Sequence, residues 1–430
     1  MLQNPYVTPL KKEQKMNLKI YITLIAATAV SAGSACIKAA TPAGFDEIVA
    51  EVIAGNPALG AERARMAAEL GAEAAENIPS DPEVSFEYLW GVGKLADGNK
   101  WNAGISQSFD WPGVYSARRK ATARRATAFS LLYRDRMADA VRDARTALID
   151  IIGCRRRLEL CRRQSATLDS LLESSRNAFE RGGAITILDY KKLQIESNKM
   201  RVLCDDTEAE LDALRASLIA MGGNRLIDTE SLLNYPAMPL LTEAEYLDIL
   251  DTQDPYVLSR APMLDAGRER LSAARRSRFP GFTIGYSFEN EAGEHFTGFS
   301  AAITLPVWSR RRSITAADME LQATADEYTS AYLARRASII SDRAAAAALD
   351  RRLEGYIAAL GDGSYPALLR KALDGGAMSM LDYLREMNFY TESCLEFESL
   401  LQRRARLLAI LNRFHNIEAF ESFNFEKNTK

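Results

Sequence analysis

This chain says the same thing twice, and that duplication constrains its fold more than any other feature. RGGAITILDY at 181–190 returns as DGGAMSMLDY at 374–383, 193 positions later. NPAL at 56–59 is answered by DPYV at 254–257, and PEVSFEY at 82–88 by PGFTIGY at 280–286. Each copy runs in one order: a short helical stretch, two alternating strands, a very long helix, a Gly-Gly turn and a return helix. Repetition at this scale points to architecture rather than to an active site. It divides the chain into an N-terminal extension and signal peptide (1–40), a first repeat (41–223), a linker (224–242), a second repeat (243–415) and a polar tail (416–430). Strands are expected at about 83–92 and 101–110, then at 281–289 and 297–306. Helical hairpins are expected at about 113–223 and 309–415, with tips at 182–183 and 375–376.

The first 40 residues differ in kind from the rest. Lys11, Lys12, Lys15 and Lys19 precede an apolar run from Ile20 to Ala32, followed by small residues. A charged start, a short apolar stretch and a small-residue exit make a secretory signal, and Met16 gives it the more compact start. Two exits are open: cleavage after Lys38-Ala39-Ala40, or a lipoprotein-type ending at Ser34-Ala35-Cys36, which would make Cys36 an acylated residue. Gly33 stands where that second signal normally carries Leu. No later segment reaches the roughly 20 uninterrupted apolar residues of a membrane-spanning helix.

Around residue 82 the pattern switches to a period of two. Val84, Phe86, Tyr88, Trp90 and Val92 alternate with Ser85, Glu87 and Gly91; Trp101, Ala103, Ile105 and Phe109 alternate with Asn102, Gly104, Ser106 and Ser108. The second copy repeats the device, with Phe282, Ile284, Tyr286 and Phe288, then Phe299, Ala301, Ile303 and Leu305. Each run approaches the roughly 9–11 residues of a tilted transmembrane strand. A soluble hairpin with one buried face is the alternative, but small polar residues at every second place suit a wet lumen facing an oily exterior. Four strands cannot close a barrel, because about eight is the practical minimum. Strands that span a membrane here therefore need several chains to share one barrel.

From Val114 to Arg181 no proline interrupts, and a 3-4 spacing of apolar or small residues predicts a coiled-coil helix on the order of 100 Å long. Its seam is Met137, Val141, Ala144, Leu148, Ile151, Leu158, Cys161, Ser165, Leu168, Leu172, Ser175 and Phe179, with Arg155 discordant. The return seam includes Tyr190, Leu193, Ser197, Met200, Cys204, Thr207, Leu211, Leu214 and Leu218. Cys161 and Cys204 are equally far from the apex and are expected to face each other. Gly182-Gly183 and Gly375-Gly376 suit left-handed conformations that end a helix tightly. Thr186 and Ser379 suit N-caps, and Asp189 and Asp382 the first turn that follows. Gly361, Gly363 and Pro366 should break the second long helix.

At this point the chain resembles the TolC-type outer-membrane efflux proteins, over roughly residues 45–414. The resemblance rests on the doubled plan, the strand pair ahead of each hairpin, the two Gly-x-x-Thr/Ser-x-x-Asp tips, and the junctions SQSFDWPG (106–113) and ITLPVW (303–308). It implies an α+β membrane protein: a homotrimer whose twelve-stranded outer-membrane β-barrel, four strands per chain, continues into a periplasmic α-helical coiled-coil barrel. It also implies a passive exit duct for drugs, metal ions or other small molecules, partnered by a periplasmic adaptor (a membrane fusion protein), an inner-membrane pump and outer-membrane lipid. VYSARRKA (114–121) is closest to the branch serving resistance-nodulation-division pumps, heavy-metal ones included. In that family acidic residues near the second tip narrow the periplasmic mouth. Asp382 matches, whereas Arg385 stands where some members have a second acid, so a gate built from Asp189, Asp382 and Arg385 would be of mixed charge.

Other functions find little support. The 54 Lys+Arg against 57 Asp+Glu, net −3, argue against a nucleic-acid binder. No catalytic constellation is visible, and no cofactor or metal is implied. His295, placed in a strand-connecting loop, and His415, near the end of the last helix, have no Cys or His at metal-ligand spacing. The rival from another class is a periplasmic coiled-coil adaptor or scaffold without its own channel. Such a protein would lack two strand pairs of membrane-spanning length.

Overall fold

A computed structural model describes residues 44–91, 98–181, 185–291, 294–306, 310–360 and 363–414 of the 430-residue chain. The signal segment with Cys36, the tip glycines Gly182 and Gly183, and His415 lie outside the described residues. The elements run α1 (Phe45–Gly55), α2 (Pro57–Ala75), β1 (Glu83–Leu89), β2 (Lys100–Phe109), α3 (Pro112–Glu180), α4 (Ile187–Met221), α5 (Glu243–Thr252), α6 (Pro255–Arg276), β3 (Gly281–Glu291), β4 (Glu294–Thr304), α7 (Arg310–Leu360), α8 (Tyr365–Asp374) and α9 (Met380–Leu411). Two compact units form. One holds Glu62–Asp135 and Asp254–Ala334; the other holds residues 44–61 and 136–253 together with 335–414.

The first unit contains the sheet, antiparallel throughout and ordered β1-β2-β3-β4. Its central pairing joins the two sequence-distant hairpins: Ile105 lies opposite Tyr286, and Phe109 opposite Phe282. Three of the strands differ in extent from the sequence expectation. β1 stops at Leu89, while β3 and β4 run on to the pair Glu291 and Glu294. His295 therefore lies in β4 rather than in a loop, opposite Asn290, whose side chain is 2.9 Å from its Nδ1. Polar residues with poor strand propensity are held extended there by cross-strand partners.

Below the sheet, helical segments of this unit are tied by a charge network. Arg125 and Arg270 share Glu73, Arg125 also reaches Glu69 at 2.9 Å, and Arg270 reaches Glu320 at 3.2 Å. α6 starts on a side-chain cap: the Asp254 carboxylate accepts the Tyr256 and Val257 amides at 2.9 and 3.3 Å. Pro255 takes the first helical position, where its missing N–H costs nothing.

The second unit is helical. The seam expected for α3 is buried at Met137, Val141, Ala144, Leu148, Ile151, Leu158, Cys161, Leu168 and Ser175. Ser165 and Leu172 are half-buried and Phe179 is 43 % exposed. Ile149, Ile152, Cys154 and Leu171, off that seam, are also buried, because α3 is covered on more than one side. Arg145 is almost fully buried; its guanidinium lies 3.7 Å from Asp46 and donates to the Asn412 carbonyl at 3.2 Å, so α1, α3 and the end of α9 share one charge. Burial lowers its pKa against the pull of Asp46. The discordant Arg155 also has a partner set: it donates to the carbonyls of Thr229 and Leu232 at 2.9 Å and of Glu230 at 3.3 Å. It fastens the 224–242 segment, whose Leu232 is buried, to the long helix.

Glycines set two boundaries in this unit. α4 ends with Gly223 at φ +72°, and Asn224 donates to the Ile219 carbonyl at 2.9 Å. A Cβ on Gly55 would stand 2.1 Å from the Gly222 carbonyl oxygen, so the end of α1 meets this turn backbone to backbone. Among the described residues the second long helix does break: α7 ends at Leu360, Gly363 has φ +77°, and Pro366 falls in the first turn of α8.

Candidate functional site

Two regions concentrate features that a scaffold does not need: the sheet and the hairpin tips. In the sheet, register places those members of the expected apolar set that lie within β1–β4 on one face. Val84, Ile105, Tyr286 and Phe299 form one row across all four strands, and Phe86, Ala103, Phe288 and Thr297 another. The opposite face carries Ser85, Gly104, Ser287 and Gly298 in one row, and Glu87, Asn102, Glu289 and Phe296 in the next. The apolar face is open rather than buried: Phe299 is 89 % exposed, Val84 77 % and Ile303 70 %. An uncovered apolar surface of this breadth is unusual for a chain that meets only water.

Aromatic pairs mark both ends of that face. Trp101 packs on Phe86 and Phe288 at 6.2 and 5.2 Å, with Tyr88 and Trp90 at 5.3 Å from one another. At the other end Phe109 stacks on Phe282 at 5.3 Å and Trp111 on Phe279 at 5.2 Å. Ten residues separate Trp101 from Trp111. At ~3.3 Å per residue and a tilt of ~40°, that span projects to ~25 Å, the height of an outer-membrane apolar band. On the polar face Lys100 pairs with Glu289 and lies 3.6 Å from Glu291. Sequence reasoning missed this cluster, because it depends on the β2–β3 register across a gap that no local pattern encodes.

The tips are built from caps. Thr186 and Asp189 form a reciprocal capping box at the start of α4: the Asp189 amide donates to Thr186 Oγ1 at 3.2 Å, and the Thr186 amide donates back to Asp189 Oδ2 at 3.4 Å, which also accepts the Thr186 hydroxyl at 2.7 Å. Ser379 caps α9, accepting the Asp382 amide at 3.1 Å and donating to its carboxylate at 2.7 Å. Arg385 lies 3.2 Å from that same carboxylate and 3.5 Å from Glu386. Of the glycines before Ser379, Gly375 is right-handed (φ −80°) and Gly376 alone has positive φ, +68°. Gly376 donates to Leu373 at 3.1 Å and Ala377 to Ala372 at 2.9 Å, the bond pair that closes a helix end with one left-handed residue. At this second tip one left-handed glycine, not two, suffices. Behind these turns Leu168, Leu171, Leu193, Leu369, Tyr383 and Met387 form one core that joins both hairpins. Leu188 is left 71 % exposed beside Ile187.

The cysteine pair completes the hairpin. Cys161 and Cys204 are brought together as free thiols, each close enough to shift the other's titration. Burial, followed by the neighbouring Cys204, pushes the Cys161 thiol up to about 11, and burial also raises Cys204. The pairs Cys161 with Cys204, Asp169 with Ser197 (2.7 Å) and Arg157 with Glu210 (2.9 Å) have midpoints at 182.5, 183 and 183.5. These three pairs centre the hairpin near residue 183, with the contacts of Arg162 to Glu208 and Cys154 to Thr207 spread to either side of it.

No protein-family model matches the sequence, and no curated protein matches it. Solved structures do. A membrane protein from Pseudomonas aeruginosa aligns at TM-score 0.73 and 17 % identity, covering 90 % of this chain and 99 % of its own. The CmeC outer membrane channel of Campylobacter jejuni aligns at 0.73 and 13 %, covering 91 % and 90 %. The MtrE outer membrane channel of Neisseria gonorrhoeae, in its open state, aligns at 0.68 and 17 %, covering 90 % and 93 %. The expected resemblance to TolC-type channels holds at the level of fold, along nearly the whole of both chains.

Proposed function

We propose that three copies of this chain form the outer-membrane channel of a tripartite efflux system in a Gram-negative bacterium. The observation that carries this reading is the two-faced sheet: an exposed apolar face, an opposite face of small and charged residues, and two unpaired edges at β1 and β4. Lipid offers no partner for the N–H and C=O groups of an open edge. Joining β1 of one copy to β4 of the next removes every edge, and three copies give twelve strands, an even number as such barrels require. The two tandem repeats then each contribute one strand pair and one helical hairpin, and the hairpins extend the duct into the periplasm.

The fold match supports the same assignment, since the aligned structures include outer-membrane channels. At the tips, exposed Ile187 and Leu188 offer apolar contacts to a periplasmic adaptor. An inner-membrane pump, of the resistance-nodulation-division type, would deliver the cargo. Asp189, Asp382 and Arg385, repeated three times, would ring the mouth with mixed charge in addition to capping their helices. Purified protein added to a planar lipid bilayer should give discrete, long-lived conductance steps. A protein that stays in the soluble periplasmic fraction and gives no steps overturns the assignment.

A further inference from the structure

Beyond the aromatic pair Trp111–Phe279, the charge pattern of the first unit turns one-sided. No acidic residue occurs from 111 to 134, from 270 to 288 or from 295 to 317, the three passages in which the chain leaves or enters β2, β3 and β4. These passages are rich in Arg and Lys. Some of that charge is used internally: Arg118 meets Asp110 at 3.2 Å, Arg125 and Arg270 meet Glu73, and Arg276 donates to the Gly113 carbonyl at 3.2 Å. Arg119, Lys120, Arg275, Arg278, Arg311 and Arg312 are exposed and have no ion-pair partner among the described residues. The acids at this level, Glu76, Asp81, Glu83 and Asp110, leave them in excess.

Position gives the excess a meaning. Arg275 and Arg278 lie within four residues of Phe279, which is itself exposed and stacked on Trp111. Arg119 and Lys120 follow Trp111 by eight and nine residues on α3, ~12–14 Å along a helix at ~1.5 Å per residue. Long basic side chains bridge the rest of that distance by laying their stems along apolar surface and carrying the charge to the interface. An unpaired basic band directly beyond an aromatic belt and an apolar face is complementary to one kind of surface: a sheet of phosphate groups.

We propose that this band is a binding surface for anionic phospholipid headgroups, of the phosphatidylglycerol class, on the periplasmic side of the membrane. The inference rests on the membrane-channel reading above and adds a lipid preference to it. The guanidinium groups of Arg275, Arg278, Arg311 and Arg312 take phosphate oxygens, two donors at a time where geometry allows, and Lys120 contributes a point charge.

The test uses the full-length protein carrying Trp90→Phe, Trp101→Phe and Trp308→Phe, reconstituted in phosphatidylcholine vesicles containing a brominated lipid, so that tryptophan quenching reads the lipid next to Trp111, the one tryptophan left. Brominated phosphatidylglycerol should bind about three- to tenfold more tightly than brominated phosphatidylcholine, a preference typical of a few basic residues at a charged interface. Lys120→Gln, Arg275→Gln, Arg278→Gln, Arg311→Gln and Arg312→Gln together should bring that ratio close to ~1 while heat-modifiable assembly is retained. Should the variant not assemble, salt serves instead: raising ionic strength from about 0.05 to 0.5 M should shrink the wild-type preference severalfold. Equal quenching by both lipids in the wild type, or a preference that survives both the substitutions and the salt, overturns the proposal. A change in ion selectivity with no change in lipid preference would place the band in the lumen and overturn it too. Failure to insert into either vesicle would instead refute the channel reading.

Discussion

Thiol chemistry on the first hairpin tests its register with a rate that follows from the structure. Only the thiolate is alkylated. At pH 8 an ordinary thiol, with a pKa near ~8.5, is roughly a quarter ionised. Cys161, pushed to about 11 by burial and by Cys204, is ionised to roughly one part in a thousand. The ratio is ~200, of which the greater intrinsic nucleophilicity of a high-pKa thiolate returns ~10-fold. Iodoacetamide should therefore modify Cys161 about 20-fold more slowly in the folded protein than in urea, with shielding slowing it further. Between pH 8 and 10 the rate should climb about tenfold per unit and level off only above the raised pKa. Peptide mass mapping over a time course reads each site separately. Copper-phenanthroline should then join Cys161 to Cys204 within one chain, slowly, because helix axes ~8–10 Å apart must close toward the ~7 Å Cα separation of a disulfide. Cys154 donates instead to the Thr207 carbonyl at 3.2 Å. Equal alkylation of Cys161 in folded and unfolded protein, or preferential coupling of Cys204 to Cys154, would refute the register.

Other outcomes follow from single contacts. Gly55→Ala forces a methyl to within 2.1 Å of the Gly222 carbonyl, where backbone rather than a flexible side chain must yield, and should cost about 1–3 kcal/mol in thermal melts. Gly376→Ala has open space but a φ of +68°, and should cost about 1–2 kcal/mol through strain alone. Ser379→Ala should lose about 1 kcal/mol of cap stability and leave single-channel conductance unchanged. Asp382→Ala should lower stability by a similar amount and also alter conductance and its salt dependence; a purely stability-based effect would remove Asp382 from the gate. Arg155→Met strips donors from three carbonyls and should raise protease cleavage within 224–242 before the hairpin melts.

Much of this architecture is visible in the sequence because it is periodic. The period-two runs sort Val84, Ile105, Tyr286 and Phe299 onto one face, and the observed register keeps them together. Hydroxyl-to-acid spacing at Thr186–Asp189 and Ser379–Asp382 identifies both caps, since a cap is a local bond. What escapes is non-local. Nothing in either hairpin says that β2 lies beside β3, so the Lys100–Glu289 pair is invisible until the sheet is assembled. Arg155 looks like an error in a seam until the carbonyls of 229–232 come to meet it. The capping bonds of Asp189 and Asp382 likewise explain both residues locally, so an additional role at a pore mouth depends on neighbours supplied by other copies.

The central claim is that the open edges of the sheet are closed by other copies of the same chain. Light scattering on detergent-extracted protein, with the detergent contribution subtracted, measures this directly. The account predicts a mass of three 47.6 kDa chains, less any cleaved leader, that persists in mild detergent and collapses to one chain on boiling. A stable monomer that keeps its full β-sheet signal would contradict it, because four strands would then stand in lipid with both edges unpaired.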